Sequence, residues 1–175
     1  MPVNIEIKAR ASNVAAQRRA AEKLSDRAAE VLLQDDTFFN VKSGRLKLRE
    51  QPGRPGELIF YQRPDQKGPK HCDYSIFRTE RGSELKALLT AALGVRGVVK
   101  KKRMLYMIGQ TRVHFDEVDG LGSFIELEVV MREGQSEAEG RRIADNICAK
   151  LEIGEQDLVE CAYLDLMYGA GSRRS

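Results

Sequence analysis

The stretch Val98 to Met131, VVKKKRMLYMIGQTRVHFDEVDGLGSFIELEVVM, constrains the fold more than any other part of the chain. It reads as three strands joined by two glycine turns, Ile108-Gly109-Gln110 and Asp119-Gly120-Leu121-Gly122. Side chains on a strand alternate between faces, so each strand splits into two columns. One set of columns holds Lys101 and Arg103, then Arg112, His114 and Asp116, then Glu126 and Glu128. The other holds Met104 and Tyr106, then Val113 and Phe115, then Ile125, Leu127 and Val129. One face of this unit needs a core. The other carries both signs of charge at close spacing, as the open face of a solvated antiparallel sheet also does.

The same division recurs upstream. Val3 to Arg10 sets Val3, Ile5 and Ile7 against Asn4, Glu6, Lys8 and Arg10. Gly44 to Glu50 sets Leu46 and Leu48 against Arg45, Lys47 and Arg49, three cations that repel unless an anion lies between them. After the turn Pro52-Gly53-Arg54-Pro55-Gly56, a strand carries Ile59, Tyr61 and Arg63 on one column, which we assign to the interior. Gln34 to Asn40 leads into a strand, Asp65 to Lys70 is a polar loop, and Asp73 to Glu80 is a strand with Arg78 and Glu80 in one column.

Helices fall between these strands. Ser12 or Asn13 can cap the first, with an apolar face of Val14, Leu24, Ala28 and Val31. Ser83 is expected to cap a second with Leu85, Leu88, Leu89 and Leu93, ended by Gly94. Ser136 and Glu139 form a capping-box pattern before Ile143, Ile147 and Leu151. A short turn near Gln156–Glu160 and an ordered piece from Ala162 to Tyr168 follow.

Composition narrows the class. A chain of 175 residues can bury one sizeable core, and 42% hydrophobic residues is ordinary for a globular protein. No apolar run is long enough for a membrane span, and the start MPVNIEIKAR has no apolar signal core, so a cytoplasmic protein is expected. Cys72, Cys148 and Cys161 form no CxxC pair and read as free thiols. A net charge of +3 is too small to imply nucleic-acid binding.

Two arrangements satisfy the columns. The charged face can look at bulk water over an apolar face set on the helices. Alternatively the sheet curls, the apolar face turns outward under helices, and the charged face lines a passage; about eight strands leave room for side chains or one small ligand. Enclosed charge needs partners. Carboxylates at Glu6, Asp116, Glu126 and Glu128 suit Mg²⁺ or Mn²⁺. Lys8, Lys47, Arg49, Arg63, Arg78, Lys101 and Arg103 suit phosphate oxygens. A metal-bound polyphosphate would satisfy both sets.

The order of these strands resembles the CYTH superfamily, the triphosphate tunnel metalloenzymes, over nearly the whole chain. Asn4-Ile5-Glu6-Ile7-Lys8 resembles the Glu-x-Glu-x-Lys signature with its first Glu replaced. GRLKLRE resembles the basic strand, Arg78-Thr79-Glu80 the Arg-x-Glu strand, and Lys101-Lys102-Arg103 the Lys-x-Arg strand. Phe115-Asp116, Gly120 to Phe124 and Glu126-Leu127-Glu128 resemble the Asp strand, the Leu-Gly-x-Phe turn and the Glu-x-Glu strand. Tyr163-Leu164-Asp165-Leu166 resembles the C-terminal Tyr-x-Asp-Leu motif.

The resemblance implies an α+β fold: an antiparallel eight-stranded β-barrel, the triphosphate tunnel, with helices packed outside. It implies one domain over residues 1–168 and a disordered tail over 169–175. By position Glu6, Asp116, Glu126 and Glu128 are expected to hold Mg²⁺ or Mn²⁺, and Lys47, Arg49, Arg63, Arg78, Lys101 and Arg103 to grip phosphate. Lys8 is the expected catalytic base, since a lysine among cations has a lowered pKa. His114 is expected to be a hydrogen-bonded structural imidazole, and Tyr163 a core or plugging side chain.

The implied activity is metal-dependent hydrolysis of a small-molecule triphosphate, by a monomer or homodimer that binds neither nucleic acid nor membrane. Two alternatives stand beside it. The opening NIEIKAR resembles the cyclase-like members, which make cyclic AMP and pyrophosphate from ATP. A non-catalytic polyphosphate-binding module would account for Asn4.

Overall fold

A computed structural model of the chain describes residues 3–169; the expected disordered tail, Gly169 apart, lies outside them. Among the described residues eight strands and four helices follow in chain order: β1 Val3–Arg10, α1 Val14–Leu24, β2 Glu30–Phe39, β3 Arg45–Glu50, β4 Gly56–Gln62, β5 Lys70–Thr79, α2 Gly82–Leu93, β6 Val95–Ile108, β7 Thr111–Val118, β8 Gly122–Val130, α3 Glu137–Lys150 and α4 Tyr163–Tyr168, with a 3₁₀ turn at Glu155–Asp157 before α4.

The strands close into a barrel in the order β1-β5-β4-β3-β2-β6-β7-β8, with β8 returning to β1. Every pair is antiparallel. Of the two arrangements open to the columns, the chain adopts the closed one, and its charged columns turn inward. The run Lys100–Arg103 shows the division residue by residue: Lys101 and Arg103 are buried in the bore, while Lys100 and Lys102 are exposed outside.

The main core lies between the outer face of the barrel and the helices. Ile5 and Ile7 of β1, Val113 and Phe115 of β7, and Ile125, Leu127 and Val129 of β8 meet Ala21 of α1 and Ala144, Ile147 and Leu151 of the α3 region. Burying such side chains stabilises by roughly 1.5–3 kcal/mol each. The capping box expected at Ser136 is formed: its side chain accepts from the Glu139 N–H, and Glu139 returns to the Ser136 N–H. A second cluster, with Phe38, Val99, Phe124 and Leu164, seats α4 against the barrel. Gly97 of β6 permits that seat, since a Cβ there would stand 2.6 Å from Leu164 and from Tyr168.

The structure departs from the sequence reading in three places. First, α1, capped by Asn13 as one of the two expected candidates, stops at Leu24; Ala28 lies beyond it and Val31 is an outward residue of β2. Leu24, Ala28 and Val31, spaced by four and three, imitate a continuing helical face. Second, β5 begins at Lys70, within the segment read as loop, because Lys70 to Asp73 pair with Val3 to Glu6. Third, Ser83 is not the cap of α2: Arg81 occupies that place without a side-chain cap bond, and α2 buries none of its leucines, Leu88 being 65% exposed.

Candidate functional site

The bore is a cavity of about 330 Å³ enclosed by all eight strands, with Tyr163 of α4 also lining it. Its charges are sorted by side. Strands β2, β3 and β6 carry one cluster, and β1, β7 and β8 carry the other.

The first cluster centres on Asp36, which the sequence reading did not single out. Asp36 is 1% exposed on β2. Its carboxylate accepts from Lys47 Nζ at 2.8 Å, from Arg49 Nε and Nη2 at 2.8 Å each, and from Lys101 Nζ at 2.9 Å. This is the anion that Lys47 and Arg49 of GRLKLRE require; Arg45 pairs instead with Asp65 and Asp165. Burial opposes the charged Asp36 carboxylate, but Arg49, Lys101 and Lys47 outweigh it and hold its pKa well below the usual range. The cost falls on the lysines. Burial, with Arg49, Lys47 and Arg103 nearby, brings Lys101 down to about 7 against the pull of Asp36. Lys47 is lowered too, by burial and then Arg49.

The second cluster is set by strand register. Glu6 lies opposite Glu128 and Lys8 opposite Glu126 across β1 and β8, while His114 lies opposite Glu126 and Arg112 opposite Glu128 across β7 and β8. Arg63, just beyond β4, donates to Glu6 at 3.0 Å. Lys8 Nζ stands 3.7 Å from Glu126 and 3.7 Å from the centre of the Tyr163 ring. Burial lowers Lys8 to about 8 despite Glu126. Glu6 is pushed up by burial, against Arg63 and with Glu128 and Glu126 adding to the rise. Glu126 and Glu128 resist burial and stay low, the first through Lys8, Arg103 and Arg63, the second through His114 and Arg112.

Arg103 joins the two clusters. It grips Asp116 through Nε at 2.6 Å and Nη2 at 2.7 Å, and donates to Glu126 at 2.9 Å. Tyr163 OH donates to Asp116 at 2.8 Å. Both Asp116 oxygens are therefore taken, and the residue orients Arg103 and α4. Asp165 fastens the same helix by accepting from Arg45 at 2.8 Å and Arg96 at 2.7 Å.

The structure brings together Glu6, Lys8, Lys47, Arg49, Arg63, Lys101, Arg103, Glu126 and Glu128 around one cavity. Arg78 stands at its rim, largely exposed and paired at 3.0 Å with Glu57 instead of Glu80. Asn4 also lines the cavity; with its amide oriented to suit its neighbours, it accepts from Arg112 and donates to the Val3 carbonyl, both at 3.2 Å. His114 departs from its expected role: its Nδ1 is buried without a hydrogen-bond partner.

The donor set fits a hard divalent ion. Ligand atoms of His114, Glu126 and Glu128 lie within 4.8 Å of one another. Glu6 stands beside Glu128 in register. Carboxylate oxygens are the ligands such ions prefer.

A closed antiparallel barrel with a bore of facing cations and carboxylates defines the tunnel class of fold, with helices outside. The chain belongs to the CYTH domain family, whose model matches residues 3–163. Among curated proteins none matches the sequence. Solved structures share the fold. The PH1012 protein of Pyrococcus horikoshii OT3 is 22% identical with a TM-score of 0.83, covering 93% of this chain and 98% of its own. A candidate adenylate cyclase from Vibrio parahaemolyticus is 20% identical with a TM-score of 0.74, covering 94% and 97%. HpAC1 of Hippeastrum, a candidate adenylyl cyclase described as having a dominant triphosphatase activity, is 15% identical with a TM-score of 0.66, covering 97% and 95%. Among the described residues no helix is long and apolar enough to cross a membrane.

Proposed function

We propose that this protein hydrolyses a small-molecule triphosphate with a divalent ion, Mg²⁺ or Mn²⁺, held in the bore. The observation that carries this reading is the opposition within one cavity of Lys47, Arg49 and Lys101 to Glu6, Glu126 and Glu128. A linear polyanion offers the cations more charge than Asp36 alone does. Arg63 supports the reading further, since its Nε is buried without a partner and can donate to a phosphate oxygen.

Glu6, Glu126 and Glu128 would hold the ion, with Asp116 keeping Arg103 in place beside them. A bound divalent ion supplies Lewis-acid charge at a phosphoryl oxygen. The chain's own residues supply positioning and charge, which carry most of the rate in phosphoryl transfer. Arg49 and Arg103, whose Nε–Nη2 forks are held by Asp36 and Asp116, would offer their Nη1 side to phosphate oxygens. Lys8, brought to about 8 by burial, can take a proton from an attacking water at Nζ near neutral pH. Tyr163 covers this amine and keeps bulk water from it.

The cyclase reading stays in view because of the description that the Vibrio neighbour carries. The test is one panel of tripolyphosphate, thiamine triphosphate and ATP with Mg²⁺ or Mn²⁺, reading phosphate, pyrophosphate and cyclic AMP. Phosphate release abolished by chelator is the expected result. Cyclic AMP with pyrophosphate would replace hydrolase by cyclase. Tight tripolyphosphate binding without any product would leave a binding module.

A further inference from the structure

We infer that His114 is a nitrogen ligand of the divalent site and biases it toward Mn²⁺, Co²⁺ and related transition ions over Mg²⁺. This rests on the metal-site reading above and adds to it a donor and a selectivity.

The argument starts from an unsatisfied atom. His114 is 3% exposed, projects into the cavity from β7, and leaves Nδ1 without a hydrogen-bond partner. Buried polar atoms are almost always paired, and leaving one bare costs about 1–3 kcal/mol. The Glu128 Oε1 atom is 3.9 Å away, too far for a hydrogen bond. A cation between the imidazole and the carboxylates removes the deficit, because the lone pair of an unprotonated Nδ1 then has a partner.

Geometry agrees. The facing atoms of His114, Glu126 and Glu128 lie no more than 4.8 Å apart. Two donors on opposite sides of an ion stand roughly 4.4 Å apart at bond lengths near 2.2 Å, so the group closes on an ion with small side-chain shifts. Register sets His114 directly across from Glu126, so backbone pairing holds the group together. Asn4, also facing the cavity, is spent on Arg112 and Val3.

The donor type sets the preference. Mg²⁺ favours oxygen ligands and its own waters, whereas affinity for a nitrogen-containing site rises along the first-row transition ions from Mn²⁺ to Co²⁺. A mixed nitrogen and carboxylate site therefore gains affinity for Mn²⁺ and Co²⁺ from His114 and little for Mg²⁺.

The test is pulsed electron paramagnetic resonance of Mn²⁺ bound to the intact protein, with calorimetric titration of Mn²⁺ and Mg²⁺ into wild type and His114→Gln. The expected result is a nitrogen modulation in the wild-type spectrum that vanishes in His114→Gln. Mn²⁺ affinity should fall by about tenfold or more and Mg²⁺ affinity far less. The wild-type spectrum answers the question even if the variant fails to fold. Tight Mn²⁺ binding without nitrogen modulation and with equal affinity in both proteins removes His114 and leaves the carboxylate site standing. Absence of any Mn²⁺ or Mg²⁺ binding, with or without tripolyphosphate, overturns both the ligand assignment and the metal-site reading.

Discussion

Asp36 and Arg49 face each other across β2 and β3 as register partners, joined by two hydrogen bonds of 2.8 Å. The same carboxylate holds Lys47 and Lys101. One anion thus keeps one buried and two largely buried cations together and leaves them under-neutralised. Asp36→Ala should destabilise the fold by about 3–5 kcal/mol, the usual cost of leaving buried charges unpaired. Tripolyphosphate should restore much of that loss in a thermal melt, because it supplies the missing negative charge. A variant that melts like wild type would show that Asp36 does not hold the cluster.

Lys101 gives a pH prediction. Its folded pKa, about 7, lies below its ordinary value of 10.5. Between those values the unfolded chain holds more protons than the folded one, so this group makes stability rise with pH across the window. The burden of the buried charge is full below about 7. A bound polyphosphate reverses the depression, so binding above neutral pH should take up protons. Calorimetry in buffers of different ionisation heat measures this, after correction for protonation of the free anion. Lys101→Met should take up fewer protons; uptake equal to wild type would move the effect elsewhere.

Glu128→Gln keeps shape and leaves Arg112 a neutral acceptor for its 2.8 Å bond. The melting curve should change little, while phosphate release and its dependence on added metal disappear. Unchanged activity would remove Glu128 from the site.

Tyr163→Phe deletes the hydroxyl that donates to Asp116 and keeps the ring beneath Lys8. A buried hydrogen bond to a charged acceptor is worth about 1.5–3 kcal/mol, and denaturant unfolding should show a loss of that order. A loss near zero would mean that Arg103 alone satisfies Asp116.

Much of the site is legible because strand alternation is a local signal. The columns of β6, β7 and β8 can be written down from the sequence, and Arg103, Glu126 and Glu128 fall where their parity puts them. Asp36 escaped because its strand opens with Glu30-Val31-Leu32-Leu33, in which alternation is broken by two exposed aliphatics. A signal was present: three cations on one column demanded an anion, and QDD stands just upstream. The unpartnered His114 Nδ1 had no local signal, since it depends on which side chains the neighbouring strands bring to it. The leucines of α2 misled for a related reason: helical spacing proposes a buried face, but only a neighbour can bury it, and α2 rests lightly on β2 and β3.

The seam between β1 and β8 carries a consequence for biosynthesis. Lys8 meets Glu126, and Glu6 meets Glu128, only where the first strand finds the last. On a ribosome the N-terminal strand emerges long before β8 exists, and its Glu6 and Lys8 wait without their β8 partners. The full acidic group therefore needs β8, and a chain truncated before residue 122 lacks Glu126 and Glu128 altogether.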